Sequence, residues 1–364
     1  MVAASPSSPP PVGRLAGLSG NTLAANATIA ARFLPVWLAT GALLVVAAII
    51  APDALRSTSW SYVLPEATVL AVAAIGQMLV VMHAGIDLST PAVISFGGNL
   101  IAGVGSSHGL FVAILYCLAV GMLVGLANGL LVGLLRLNPL IVTLAVGQIV
   151  LAWSSKYSRD VVTAQPLVPS GLGSWATHRQ LGISNVFWTG VAITLVVALV
   201  IRYTTIGRRF QAVGANPRAA WIAGLRVRTN VVLAYTAAGA LYALAAVLLA
   251  GISGSIDPSF GSTYLLSPIA AVVIGGAALA GGLASTTSTW VAALALTLLT
   301  QMLVILGLSA AMQYVVFGAA IIAGMIVSGD RVAAALGRGL RLMNPPPVEA
   351  AAGAGAGGQD DPGG

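Results

Sequence analysis

The chain has 364 residues, 58% of them apolar and only 7% charged, with a mean hydropathy of +0.97. Soluble domains average about 25% charged residues, so this composition excludes a water-soluble fold. The formal net charge of +7 is not a nucleic-acid footprint, because the basic residues are spread over several loops and no base-stacking aromatic pattern accompanies them.

Residues 1–30 are rich in Ser, Pro and Ala, with Pro9, Pro10 and Pro11 in a row, and predict a disordered leader on the cytoplasmic side. No short apolar core with a cleavage pattern precedes the first span, so this is not a signal peptide. A membrane-spanning helix needs about 20 mainly apolar residues. Such windows occur at 33–52, 67–82, 90–107, 109–135, 137–153, 181–201 and 229–254. Cys117, the single cysteine, lies inside the fourth window and excludes an internal disulfide or a cysteine metal cluster. Between Asp257 and Asp330 there is no Asp, Glu, Lys, Arg or His, which leaves room for three more spans at 265–282, 287–307 and 309–328. The reading is an all-α, polytopic integral membrane protein with about ten transmembrane helices. Its transmembrane domain covers 31–330, followed by a disordered Ala/Gly-rich tail over 344–364.

Orientation follows from the distribution of Lys and Arg, which concentrates in cytoplasmic loops. With the N-terminus inside, only Arg56, Lys156, Arg159 and Arg179 of the 16 basic residues fall outside. The sequence therefore predicts an N-in, C-in protein with a periplasmic loop over 154–180 and a cytoplasmic loop over 202–228. The latter holds Arg202, Arg208, Arg209, Arg218, Arg226 and Arg228 and no acidic residue.

Within the spans, charge is scarce. Asp87, in Gly85-Ile86-Asp87-Leu88-Ser89-Thr90-Pro91, sits between two spans, and the neighbouring Gly85 and Pro91 predict a break between them. Two roles fit a carboxylate there: contact with a solute in a pathway, or capping of the next helix. Gln77, Asn99, Asn128, Gln148, Gln301 and Gln313 are the chief other polar groups of the spans. Each could hydrogen-bond a hydroxylated solute or a neighbouring helix. Together they provide no fixed charge pair, which argues against a proton- or sodium-coupled carrier and against intramembrane catalysis. Gly275, Gly276, Gly281 and Gly282 predict a small-residue surface for close helix packing, with a hinge as a further role. In the cytoplasmic loop, Asn216 followed by Pro217 predicts an N-cap and first-turn proline of a short helix that Gly224 ends.

Four segments of this chain resemble the family of ABC importer permeases that includes the ribose and xylose transporters. They are Gly85 to Ser89, the run Leu137-Asn138-Pro139-Leu140-Ile141-Val142-Thr143-Leu144, the loop from Gly207 to Gly224, and Ile269-Ala270-Ala271-Val272-Val273-Ile274-Gly275-Gly276. They occur in the family's order, and the resemblance runs over about 64–328. It implies a permease subunit in which Gly214, Asn216, Pro217, Ala219, Ala220 and Gly224 form the coupling loop that rests on an ATPase. The implied partners are cytoplasmic ATPase subunits that bind ATP and Mg, a periplasmic solute-binding protein, a second permease subunit and membrane lipid, with no nucleic acid. The chain itself lacks a Gly-x-x-x-x-Gly-Lys-Ser/Thr phosphate loop and is expected to hold no cofactor. The chain departs from the family pattern at Thr90 and Pro91, at Tyr264 to Pro268, at Gln301 to Val304 and at Arg218, positions near the path and the coupling loop. The implied cargo is a monosaccharide. Related importers carry nucleosides, autoinducer-type sugars or branched-chain amino acids.

Overall fold

The computed structural model describes residues 33–162, 167–257 and 260–309, with a few helical residues between 311 and 323. The leader, the tail, Gln313 and most of the tenth expected span lie outside the described residues. In chain order the helices are α1 (Phe33–Ile50), α2 (Ser57–Val81), α3 (Thr90–His108), α4 (Leu110–Gly133), α5 (Pro139–Asp160), α6 (Ser170–Thr177), α7 (Asn185–Tyr203), α8 (Thr205–Ala215), α9 (Pro217–Ile222), α10 (Val227–Ser253), α11 (Ser267–Ile274) and α12 (Thr286–Ile305). Between α6 and α7, strands β1 (Arg179–Gln180) and β2 (Ile183–Ser184) pair antiparallel. Leu181 and Gly182 turn that hairpin with φ of +53° and +80°.

Among the described residues, seven helices are long and apolar enough to cross a membrane: α1, α2, α4, α5, α7, α10 and α12. Three expected spans differ from the structure for physical reasons. The second begins at Ser57, ten residues before the expected start at 67, because Pro65 is accommodated inside the helix and Glu66 follows it there. The third is a helix, α3, nearly enclosed by protein on every side, and it is not among the seven. The eighth, 265–282, is not one helix. It is the eight-residue α11 followed by a turn in which Gly276, Gly281 and Gly282 take φ of +87°, +94° and +101°, outside the right-handed helical region.

The core is organised around α2 and α10. From Ala67 onward α2 is buried on every face, as expected of a helix apolar all round. Helix α10 presses most extensively against α4, along Gly121, Gly125 and Gly129. A Cβ at Gly121 would overlap the Gly239 carbonyl oxygen, and one at Gly125 the Tyr235 carbonyl oxygen. At Gly129 it would stand 2.8 Å from the Val232 Cα. This four-residue glycine repeat brings two backbones together in an environment that supplies no hydrophobic drive for helix association. By contrast α1, α4 and α5 turn Leu38, Val45, Ile49, Phe111, Leu123 and Ile141 outward, faces suited to lipid.

Gly125→Val is expected to lower the stability of the purified protein by about 1–3 kcal/mol through forced separation of α4 and α10. Gly41→Ala, where no atom lies within 4 Å of an added Cβ, should leave it unchanged. Thermal melts of both variants in one detergent check this.

Candidate functional site

Helix α2 ends at an interruption that the chain crosses before α3 begins. Ala84 takes φ of +57°, and its N–H donates to the Val81 carbonyl (2.9 Å) while that of Gly85 donates to the Val80 carbonyl (3.2 Å). This paired pattern closes the helix in a Schellman motif, with alanine where glycine is usual. Gly85 is required by its neighbour, because a Cβ there would sit 2.5 Å from the Tyr235 hydroxyl.

Residues 85–89 lie outside regular secondary structure, and side chains of α2 and α5 bond their backbone while α4 and α10 close around them. The Gln77 amide of α2 is oriented so that its oxygen accepts from the Asp87 N–H (3.1 Å). Its nitrogen donates to the Asp87 carbonyl (3.1 Å) and the Tyr242 hydroxyl oxygen (2.9 Å). The Leu88 N–H donates to Thr143 Oγ1 (3.0 Å) of α5, and that oxygen also lies 3.3 Å from the Ile86 carbonyl and 2.8 Å from that of Pro139. Asp87 Oδ1 accepts from the Ser89 N–H (2.9 Å) and the Ser89 hydroxyl (2.6 Å), and Asn128 Nδ2 of α4 donates to Ser89 Oγ (2.9 Å). Tyr235 and Tyr242 of α10 close the group, both completely buried.

Asp87 itself is 1% exposed, and no cation pairs with it among the described residues. Its bond from the Ser89 N–H closes an Asx turn ahead of α3, whose N-terminus carries no side-chain cap. Asp87 Oδ2, Asn128 Oδ1 and the Tyr235 hydroxyl are buried without a hydrogen-bond partner in the described residues.

Of the polar groups singled out in the sequence, the structure gathers Gln77, Asp87 and Asn128. Asn99 is elsewhere, donating to Ser154 Oγ of α5 (2.9 Å), while Gln148 is exposed and Gln301 half-buried on α12. Ser89, Thr143, Tyr235 and Tyr242 complete the cluster without having been distinguished by the sequence. Ser89 and Thr143 lie in segments carrying the family resemblance, but nothing in residue type or spacing pairs α5 or α10 with this break.

The cytoplasmic-loop residues form a second group that touches the first. Helix α8 starts at a Thr204 cap and buries Phe210, whose ring meets His83 edge-on with centroids 4.9 Å apart. Gly214 lies so close to the Met82 carbonyl that an added Cβ would overlap it, and the same carbonyl accepts the Gly282 N–H (3.0 Å). Gly281 and Gly282 therefore belong to a turn bonded to the α2 terminus, with Gly281 also against Gly214, whereas Gly275 backs onto Thr289 of α12. Helix α9 begins at Pro217 with Asn216 Oδ1 accepting the Ala219 N–H (3.0 Å), and Gly224, at φ of +80°, follows its end. Ala220 is buried, but Trp221 and Ile222 are 70% and 75% exposed.

A cavity of about 300 Å³ opens at the opposite end of α2, between Trp60 and the β1–β2 hairpin with Arg179, away from Asp87.

Residues 59–325 match the family model described as the permease component of a branched-chain amino acid transport system. The chain belongs to this permease family. It is 32% identical over 303 residues to the ribose import permease protein RbsC of Bacillus subtilis, covering 80% of this chain and 91% of that protein. It is 28% identical over 296 residues to the ribose import permease of Escherichia coli K12, covering 80% and 92%. With the fructose import permease of Rhizobium meliloti it shares 32% over 228 residues, 60% of this chain and 63% of the relative. No solved structure gives a significant match. This is a transport subunit of an ABC importer, a multi-pass protein of the bacterial inner membrane.

Asp87→Asn keeps an acceptor for Ser89 and should fold, whereas Gln77→Leu strands the Asp87 N–H and carbonyl. The latter is expected to destabilise the protein by about 1–3 kcal/mol for each buried group left unpaired. Size-exclusion profiles and melting temperatures of the two variants separate these outcomes.

Proposed function

We propose that this chain is the membrane-spanning permease subunit of an ATP-driven importer whose cargo is a monosaccharide of the ribose or xylose type. The observation that carries the reading is the similarity, over 80% of this chain, to permeases named for ribose import, together with that to the fructose permease over 60%. In this reading the solute arrives on a periplasmic binding protein, two permease subunits form the path, and separate cytoplasmic ATPases bind ATP and Mg and drive alternating access. The chain is N-in and C-in, with α8 and α9 inside and α6 and the hairpin outside. The excess of arginine around α8 and α9 supports that orientation.

Helix α9 is the part that docks on the ATPase. Asn216, Pro217 and Gly224 fix its ends, and the exposed Trp221 and Ile222 are apolar groups suited to a groove in a partner. Motion of α9 passes along α8 to the α2 terminus through Phe210–His83 and through the backbone contacts of Gly214, Met82 and Gly282. In this account α8 and the break move as one body. Asp87 fastens the break, and solute does not reach it, since the carboxylate is enclosed.

Uptake of labelled D-ribose, D-xylose, D-fructose and L-leucine by cells with and without the chain tests the assignment, repeated after ATP depletion with the membrane potential held. Chain-dependent uptake of a sugar that stops on ATP depletion is expected. Uptake that follows the ion gradient, or of leucine alone, contradicts it. Trp221→Asp is expected to leave insertion intact while removing co-purification of the ATPase and reducing uptake at least about tenfold, the loss of one hot-spot anchor.

A further inference from the structure

One carboxylate of the spans takes no part in the break. Glu66 is the tenth residue of α2, about 14 Å along the helix at 1.5 Å per residue, and is exposed in a helix otherwise buried from that level onward. With Thr58 and Tyr62 it lies at four-residue spacing on one face, and Tyr62 is 71% exposed. Leu70, the next position on that face, is buried. The exposed stripe thus runs from the N-terminal end of α2 to Glu66 and stops there.

This face is unlike the lipid-suited faces of α1 and α4. A threonine, a tyrosine and a carboxylate with no cation beside it among the described residues are costly against hydrocarbon, so the face adjoins water or another polar surface. The segment opposite is also irregular. Ser262–Tyr264 forms a single 3₁₀ turn, and the Tyr264 hydroxyl reaches Glu66 Oε2 at 3.5 Å. The adjoining Thr263 is exposed. Non-helical backbone at membrane depth is tolerated only inside protein or along a water-filled cavity, and an exposed stretch meets only the second condition. Two independent features, a mid-helix carboxylate and an interrupted chain, therefore point to one aqueous path.

We propose that Glu66, held by the buried Tyr264 hydroxyl and flanked by the exposed Tyr62, is the contact site for the solute in transit, and that the site takes a neutral polyhydroxylated molecule. A carboxylate accepts hydrogen bonds from two adjacent hydroxyls, a phenol can add a donor, and an aromatic face one turn away covers the apolar face of a sugar ring. The carboxylate repels anionic solutes. The proposal rests on the monosaccharide reading and places the recognition that Asp87 is too enclosed to provide.

The test uses the full permease with its ATPase and binding protein in proteoliposomes, and D-ribose, D-xylose and D-fructose as probes. Cys117, the chain's single cysteine, is buried, so Glu66→Cys and Tyr62→Cys each present one accessible thiol. Both should react with a charged, water-soluble thiosulfonate, and turnover with the transported sugar should slow the reaction. Glu66→Leu should cut maximal uptake at least about tenfold, the loss of a hydrogen bond to a charged group, with ATPase co-purification and melting temperature unchanged. Failure of the reagent to reach position 66, spontaneous cross-linking of Glu66→Cys between two copies without reagent access, or wild-type uptake in Glu66→Leu overturns the site. If the wild-type complex transports leucine and none of the sugars, it is the monosaccharide reading that fails, whatever position 66 does.

Discussion

Within an apolar interior every backbone N–H and carbonyl must find a partner, because no bulk water is available to provide one. A continuous helix meets this requirement internally, but the interruption between α2 and α3 does not, and much of the central packing can be read as the response. Gln77 reaches down from α2, Thr143 across from α5 and Asn128 from α4, each bonding backbone or side chain of residues 86–89. Tyr242 of α10 holds the Gln77 amide in place. An interruption sustained by four helices fixes their relative positions, so removing one partner strands groups contributed by others.

The same constraint explains why glycines mark the joints. Where α4 meets α10 and where α8 meets the α2 terminus, backbone lies against backbone, and any side chain would overlap a carbonyl oxygen. Such contacts are stiff because no rotamer can change to absorb movement. On the proposed coupling route, a displacement of α9 is carried through Gly214 and Met82 to the end of α2 and through Gly282 to the turn before α12. The solute-facing stripe on α2 lies farther up the helix whose lower end receives that displacement.

Much of this was legible in the sequence. Long charge-free windows locate seven spans because the bilayer imposes a length. Asn216, Pro217 and Gly224 delimit α9 because caps are local chemistry. The Asp87 break was legible from Gly85 and Pro91. The rest depends on tertiary contact. Pro65 and Glu66 read as the edge of a span, although a protein-lined membrane helix accepts both, and this hid the start of α2 and the position of Glu66. Apolar composition over 265–282 reads as a helix, although Gly276, Gly281 and Gly282 take left-handed φ, the last two where the turn meets Met82 and Gly214. Tyr235, Tyr242 and Thr143 carry no signal of their own, since a buried hydroxyl on a spanning helix is ordinary until its partner is known.

The central claim is that α8 and the α2 terminus form one rigid joint between the coupling helix and the interrupted core. Its most direct test places cysteines at His83 and Phe210, whose rings are 4.9 Å apart, in a Cys117→Ser background. Disulfide formation is then followed with and without ATP, and uptake is measured in the cross-linked protein. The account predicts equal cross-linking in both nucleotide states and preserved transport. Cross-linking confined to one state, or transport abolished by the bond and restored by reduction, would show that the two elements separate during the cycle and would contradict it.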